Sequence, residues 1–195
     1  MQRIITVMQQ EACRKIIHCL IVFVPFIAGY SYSLAYFLLS TGIALYSWSE
    51  YQRLAGRYVP VLSDIKEKAF RTRDMDHFAK APVTLALGAM GALALYPMPA
   101  AAVAVYSLAF GDTAACLVGK SIGKTKIPYT GKTMEGSMAC FATVFALAFH
   151  AAGCDIAKTA AAALAATLTE LLPVKDYDNL LIPLVTGLML TALSC

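Results

Sequence analysis

Charge is scarce in this chain, and that scarcity excludes most soluble folds. Asp, Glu, Lys and Arg make up 14% of the 195 residues and 59% are hydrophobic, whereas an average soluble domain is roughly 25% charged. No polar stretch is long enough for a soluble domain; the longest runs from Glu50 to Lys80. The six cysteines form no CxxC pair and sit mostly in or beside apolar runs. That pattern argues against a zinc site or a disulfide framework and for small core residues. No internal repeat is found, and the apolar runs carry little polar material near their centres. A transporter built from inverted repeats with broken helices needs both. The first apolar run continues without an AxA-like site, so it is expected to stay as an anchor rather than leave as a signal peptide.

A phosphate loop of the Walker type is also missing, although the residues from Phe110 to Ser137 contain GKS once and GKT twice. That loop needs a glycine five residues before the Gly of GK[ST], so that its backbone N–H groups can wrap a phosphate. Ala114, Val118 and Lys126 hold those places here. Gly, Lys, Ser and Thr remain the residue types that lay bare backbone and positive charge against an anion, so a phosphate ligand stays open.

What is present is apolar length. Cys19 to Ser49 and Ala81 to Gly111 each run without a charge. Either would make a helix of roughly 46 Å at about 1.5 Å per residue, too long for one crossing of a ~30 Å hydrocarbon core. Each therefore reads as a helical hairpin, broken at Ala28 to Ser31 (AGYS) and at Tyr96 to Pro99 (YPMP). Three further segments follow, Gly136 to Gly153, Ile156 to Leu172 and Leu180 to Cys195. The expected fold is an all-α polytopic membrane protein of about seven transmembrane helices, with the N-terminus cytoplasmic and the C-terminus outside. Of the 16 basic residues only Lys158 then lies outside, as the positive-inside rule requires. A bacterial plasma membrane, with the active face toward the cytoplasm, is the expected location.

One catalytic membrane domain is expected over residues 1–195. A cytoplasmic loop at 50–80 would carry a short interfacial helix, Ser63 to Arg73, and a second cytoplasmic loop at 119–135 would be the Gly/Lys-rich phosphate binder. Glu50 and Arg53 read as an intrahelical pair or as support for the basic residues of the site, and His77 and His150 as bland positions.

An acidic group inside a membrane helix costs about 2.5–3.5 kcal/mol, so it needs a partner or a task. Asp112 is such a group, because the fourth span is too short if it stops at Gly111 and must run on toward Gly119. Glu170 closes the sixth span, and Asp178 and Asn179 open the seventh on the same side. Lys120, Gly123, Lys124, Gly131, Lys132, Thr133 and Glu135 belong to the loop on that face, where Arg14, Lys15 and His18 also end the first span; Arg14 and His18 share a helix face. Carboxylates with Asn suit Mg²⁺, and Lys and Arg suit phosphate oxygens. A soluble phosphate donor and a lipid acceptor would meet there.

The order of these pieces resembles the CTP-dependent lipid-alcohol kinases, the family of dolichol kinase, phytol kinase and the CTP-using diacylglycerol kinase. The resemblance is carried by RKIIH at Arg14 to His18, the Glu and Arg of EYQR, GDTAACLVGKSIGK from Gly111 to Lys124, GKTMEGS from Gly131 to Ser137, and Glu170 followed by DNLLIP at Asp178 to Pro183. It implies transfer of the γ-phosphoryl group of CTP to the hydroxyl of a polyprenol, phytol or diacylglycerol, with Mg²⁺. Arg14, Lys15, Asp112, Gly119, Lys132, Glu135, Asp178 and Asn179 would be the essential positions. Asp112 is expected as Mg²⁺ ligand or general base, with Asp178, Asn179 and Glu170 as further metal ligands. Arg14, Lys15 and Lys132 would neutralise phosphate charge, helped by Lys120, Lys124 and Thr133. Gly119, Gly123 and Gly131 would let the backbone approach it, and Glu135 would bind metal or orient Lys132. Partners are a nucleoside triphosphate, a lipid alcohol and membrane lipids, not nucleic acid; the oligomeric state is open. Two other readings remain: a phosphatidate cytidylyltransferase-like enzyme that makes a CDP-lipid, and a small non-catalytic membrane transporter or assembly factor.

Overall fold

The structure, a computed structural model, describes residues 11, 14–57, 59, 77–151, 153 and 155–193. Among these residues it is all-helical, and its one β-type contact is an isolated bridge between Lys126 and Thr133. Residues 14–19 are helical and lead through a 3-10 turn, Leu20–Val22, into α1 (Phe23–Tyr30). There follow α2 (Tyr32–Leu54), α3 (Ala81–Leu95), α4 (Ala100–Ser121), α5 (Met134–Ala151), α6 (Ile156–Leu171) and α7 (Asp178–Ala192). The interfacial helix expected at Ser63 to Arg73 lies outside the described residues.

Both hairpins break where the sequence puts its breakers. Ser31 is extended (φ −156°, ψ 114°), and its hydroxyl caps α2 by accepting the Leu34 N–H at 3.2 Å. That bond satisfies one donor that the helix start leaves without an intrahelical acceptor. Tyr96 leaves α3 extended (φ −125°, ψ 144°), and the YPMP turn that holds Pro97 and Pro99 separates α3 from α4.

The helix α4 does run past Gly111 to Ser121, and it is the central element: Val103, Ala104, Val105, Leu108 and Ala109 are all 0% exposed. It packs against α5 and α7, α6 joins α5 to α7, and α3 lies between α2 and α7. Alanines such as Ala89, Ala92, Ala162 and Ala166 fill the contacts, so helices approach closely with little side-chain entropy lost.

The outside is apolar instead. Phe26 (79%), Tyr30 (87%) and Phe37 (65%) belong to a set of exposed large hydrophobic side chains spread over every described helix. Among the described residues two helices, Ala100–Ser121 and Met134–Ala151, are long and apolar enough to cross a membrane, and Ala81–Leu95 is apolar but shorter.

Candidate functional site

Just before Asp112, α4 widens into a π turn at Ser107–Gly111. Such turns shift the hydrogen-bond register and re-aim the side chains that follow. The first helix meets α4 there: His18 Nε2 lies 3.2 Å from the Leu108 carbonyl oxygen and 3.5 Å from Asp112 Oδ2. Lys15, one turn earlier on the same face, forms an ion pair with the same Oδ2. Cys19 Sγ reaches the Ala109 carbonyl at 3.7 Å and fixes the contact further down. A buried carboxylate is thus held by two groups from one helix face, which offsets part of its desolvation.

Arg14 turns to Glu11, 2.8 Å away, and Lys120 at the end of α4 reaches the other oxygen of Glu11 at 3.0 Å. Glu11 is buried, so it gathers both cations at the mouth of the site.

The segment between α4 and α5 folds back on itself through Ile127 N–H to Lys132 O (2.8 Å) and Met134 N–H to Thr125 O (2.9 Å). Gly131 takes a left-handed φ of +71° there. Thr133 plugs the corner between the helices. A Cβ on Gly119 would meet Thr133 Oγ1 at 2.9 Å, and one on Gly136 would meet the Ala115 carbonyl oxygen at 2.7 Å and Gly119 Cα at 3.2 Å. Close approach of α4 to α5 therefore requires glycine at both positions.

Lys132 crosses to α6, where its Nζ lies 2.7 Å from Glu170 Oε1 and also donates to the Glu170 carbonyl. Asp178 Oδ1 accepts the Asn179 N–H at 2.9 Å at the start of α7. The Asn179 amide group donates to the Ala81 carbonyl (3.3 Å) and to Thr84 Oγ1 (3.4 Å), while the Thr84 hydroxyl donates to the Asp176 carbonyl at 2.8 Å. The first turn of α3 thereby sets where Asp178 and Asn179 stand.

These groups surround one cavity of about 480 Å³, walled by Lys15, Asp112, Lys132, Glu170, Asp178 and Asn179. Arg14, Gly119, Lys120, Gly131 and Thr133 line it as well.

Three expected residues stand elsewhere. The Glu135 carboxylate neither meets Lys132 nor lines the cavity; it accepts the backbone N–H groups of Lys124 and Thr125, each at 3.1 Å, because the first turn of α5 faces that strand of the loop. The Lys124 side chain is exposed away from the cavity. Gly123 is packed on Thr133 at 2.6 Å from a notional Cβ, so its missing side chain serves packing. Glu50 is the buried partner of Arg53 at 2.8 Å and accepts the Ala79 N–H at 3.0 Å, so this pair holds residues 77–79 against α2.

Among the described residues no three His, Cys, Asp or Glu side chains are close enough to hold one metal ion together. The oxygen donors that line the cavity nevertheless fit a hard divalent cation in kind. Asp112, Glu170, Asp178 and Asn179 share the cavity, and Glu170 Oε2 is buried with no hydrogen-bond partner. A buried carboxylate oxygen left without a donor is costly unless something else binds it.

Sequence reasoning missed Glu11 as the anchor of two cations and Thr84 as the clamp on α7. Glu11 carries a legible signal, three residues before Arg14. Thr84 carries none. The chain matches no protein-family model, no curated protein and no solved structure.

Proposed function

We propose that the protein is a membrane-embedded kinase that transfers the γ-phosphoryl group of CTP to the hydroxyl of a lipid alcohol such as a polyprenol, phytol or diacylglycerol. One observation carries this reading: a single cavity at one end of an apolar bundle is lined both by the carboxylates Asp112, Glu170 and Asp178 and by the cations Arg14, Lys15, Lys120 and Lys132. Every helix and loop end that contributes to it is one that the positive-inside rule assigns to the cytoplasm. The seven helices of the described residues, α1 to α7, are taken as the seven spans, with the N-terminus inside a bacterial plasma membrane and the exposed apolar side chains facing lipid. The choice of CTP rests on the resemblance of GDTAACLVGKSIGK and KTMEGS to the lipid-alcohol kinases.

Phosphoryl transfer is mostly positioning and charge neutralisation. Lys15 and Lys132 are placed to neutralise the outer phosphates, with Arg14 and Lys120 at the mouth of the cavity. Asp112, at the buried end, takes the proton of the acceptor hydroxyl or joins Asp178, Asn179 and Glu170 in holding Mg²⁺. The ion, when bound, supplies charge stabilisation at the phosphate oxygens. The glycine-packed corner at Thr133 keeps the loop bearing Lys132 against α6.

Incubation of the purified protein in detergent with γ-labelled CTP and a panel of polyprenol, phytol and diacylglycerol tests the reading. Label in the lipid together with CDP is the expected result. A CDP-lipid with pyrophosphate would instead assign a cytidylyltransferase, and no turnover of any lipid would leave a transporter or assembly factor.

A further inference from the structure

Four of the five cations among the described residues of the cavity lining are already taken. Arg14 and Lys120 pair with Glu11, Lys15 pairs with Asp112, and Lys132 pairs with Glu170. Among the described residues that line the cavity, Lys175 is the one cation without an ion pair. Asp176 and Asp178 are two further carboxylates of the lining. Two of these pairs, Lys15 with Asp112 and Lys132 with Glu170, have both partners in the cavity lining. Each lysine that a polyphosphate anion recruits from these two pairs must first leave a buried carboxylate uncompensated, which is costly.

From these pairings we infer that the site is interlocked: Asp112 and Glu170 hold Lys15 and Lys132 as internal cations, and release them to a phosphate ligand only when a divalent cation takes the lysines' place. This rests on the proposed phosphoryl-transfer site and adds the order in which its ligands are admitted. Two features favour exchange over a fixed structural pairing. Glu170 Oε2 is buried and lacks a partner even while Oε1 holds Lys132, so this carboxylate has capacity left over. Lys15 and Lys132 approach from different elements, the first helix and the loop before α5, yet both of their carboxylates line one cavity, where like charges disfavour each other. Binding a divalent cation to those carboxylates relieves the repulsion and sets two ammonium groups free in the same event. The linkage is reciprocal: the cation raises the affinity for the anion by the factor by which the anion raises the affinity for the cation.

The counterintuitive consequence is that removing a carboxylate charge should improve metal-free anion binding. The experiment measures binding of the non-transferable β,γ-methylene analogue of CTP to purified protein in detergent, in EDTA and in Mg²⁺. The wild type is expected to bind it at least about tenfold more tightly in Mg²⁺, the worth of one or two charge-assisted hydrogen bonds. Asp112→Asn and Glu170→Gln, each checked as monodisperse, should bind it more tightly than the wild type in EDTA and lose most of the Mg²⁺ enhancement. With two variants, misfolding of one leaves the other to decide. Equal wild-type affinity in EDTA and Mg²⁺, or variants that bind no better than the wild type in EDTA, would overturn the interlock while leaving the kinase reading intact. Coupled binding without any phosphorylated lipid would leave the interlock and remove the kinase. No binding by any form would remove both.

Discussion

His18 Nε2 sits 3.5 Å from Asp112 Oδ2 and 3.2 Å from the carbonyl oxygen of Leu108, inside the π turn that precedes Asp112. One ring nitrogen thus ties the acid to the irregular backbone that aims it. Lys15 supplies the opposing charge on the same oxygen, so His18 fixes direction more than it neutralises.

If that is its task, His18→Ala should lower kcat for lipid phosphorylation by roughly ten- to a hundredfold, the scale of a misplaced catalytic group, with KM for CTP little changed. His18→Asn, which keeps a donor near Leu108 O, should recover part of the loss. A drop in thermal stability with an unchanged kcat in the folded fraction would make His18 a packing residue only.

The glycines divide into two kinds. At Gly136 an added methyl meets the Ala115 carbonyl at 2.7 Å and Gly119 Cα at 3.2 Å, so Gly136→Ala should destabilise by about 1–3 kcal/mol through overpacking. Gly131 has open space around it and a φ of +71°, so Gly131→Ala should cost only about 1–2 kcal/mol, from backbone strain. The distinguishing measurement is hydrogen exchange along the first turn of α5, which should rise in Gly136→Ala and not in Gly131→Ala.

These contacts show what a sequence makes legible. The breaks at Ser31 and Tyr96 were readable because a charge-free run too long for one crossing must turn, and Gly, Ser and Pro are where it turns. The continuation of α4 through Asp112 followed from the same length rule. The direction of Glu135 was not readable: a carboxylate beside Lys132 and Thr133 in the chain faces Lys124 and Thr125 in space, and only the fold-back of the loop decides that. Gly119 and Gly123, set beside Lys and Ser, look like a phosphate cradle, whereas the approach of α5 makes them a seat for Thr133. The π turn leaves no trace in residue type at all.

Glu135→Ala should therefore act on the loop and not on metal binding. Losing its acceptor oxygens frees the Lys124 and Thr125 amides, whose hydrogen exchange should accelerate. KM for CTP should rise several-fold as Lys132 loses its platform, and the Mg²⁺ dependence of turnover should stay where it is. A shift in the Mg²⁺ requirement instead would return Glu135 to the metal.

Topology can be tested at two positions. Tyr129, at the tip of the loop before α5, is fully exposed and belongs to the proposed cytoplasmic face, and Lys158, in the first turn of α6, belongs to the proposed outer face. On a cysteine-free background, Lys158→Cys should react with an impermeant maleimide in intact cells and Tyr129→Cys should react only after lysis. Labelling of Tyr129→Cys in intact cells would invert the orientation and place the cavity outside.

Lys132 separates a structural ion pair from a catalytic cation. Lys132→Ala leaves Glu170 buried with neither oxygen satisfied, and breaking one side of a buried pair costs about 3–5 kcal/mol. Instability alone is therefore no evidence for catalysis. Adding Glu170→Gln removes the uncompensated charge, so Lys132→Ala/Glu170→Gln should melt closer to the wild type than Lys132→Ala does. If Lys132 only neutralises Glu170, the double variant should phosphorylate lipid about as well as Glu170→Gln alone. If its ammonium stabilises charge that grows on the transferred phosphoryl group, the double variant should remain about a hundredfold or more below Glu170→Gln in kcat, whatever its melting temperature. Equal rates for the double variant and Glu170→Gln would remove Lys132 from the chemistry and leave Lys15 as the cation that faces the phosphates.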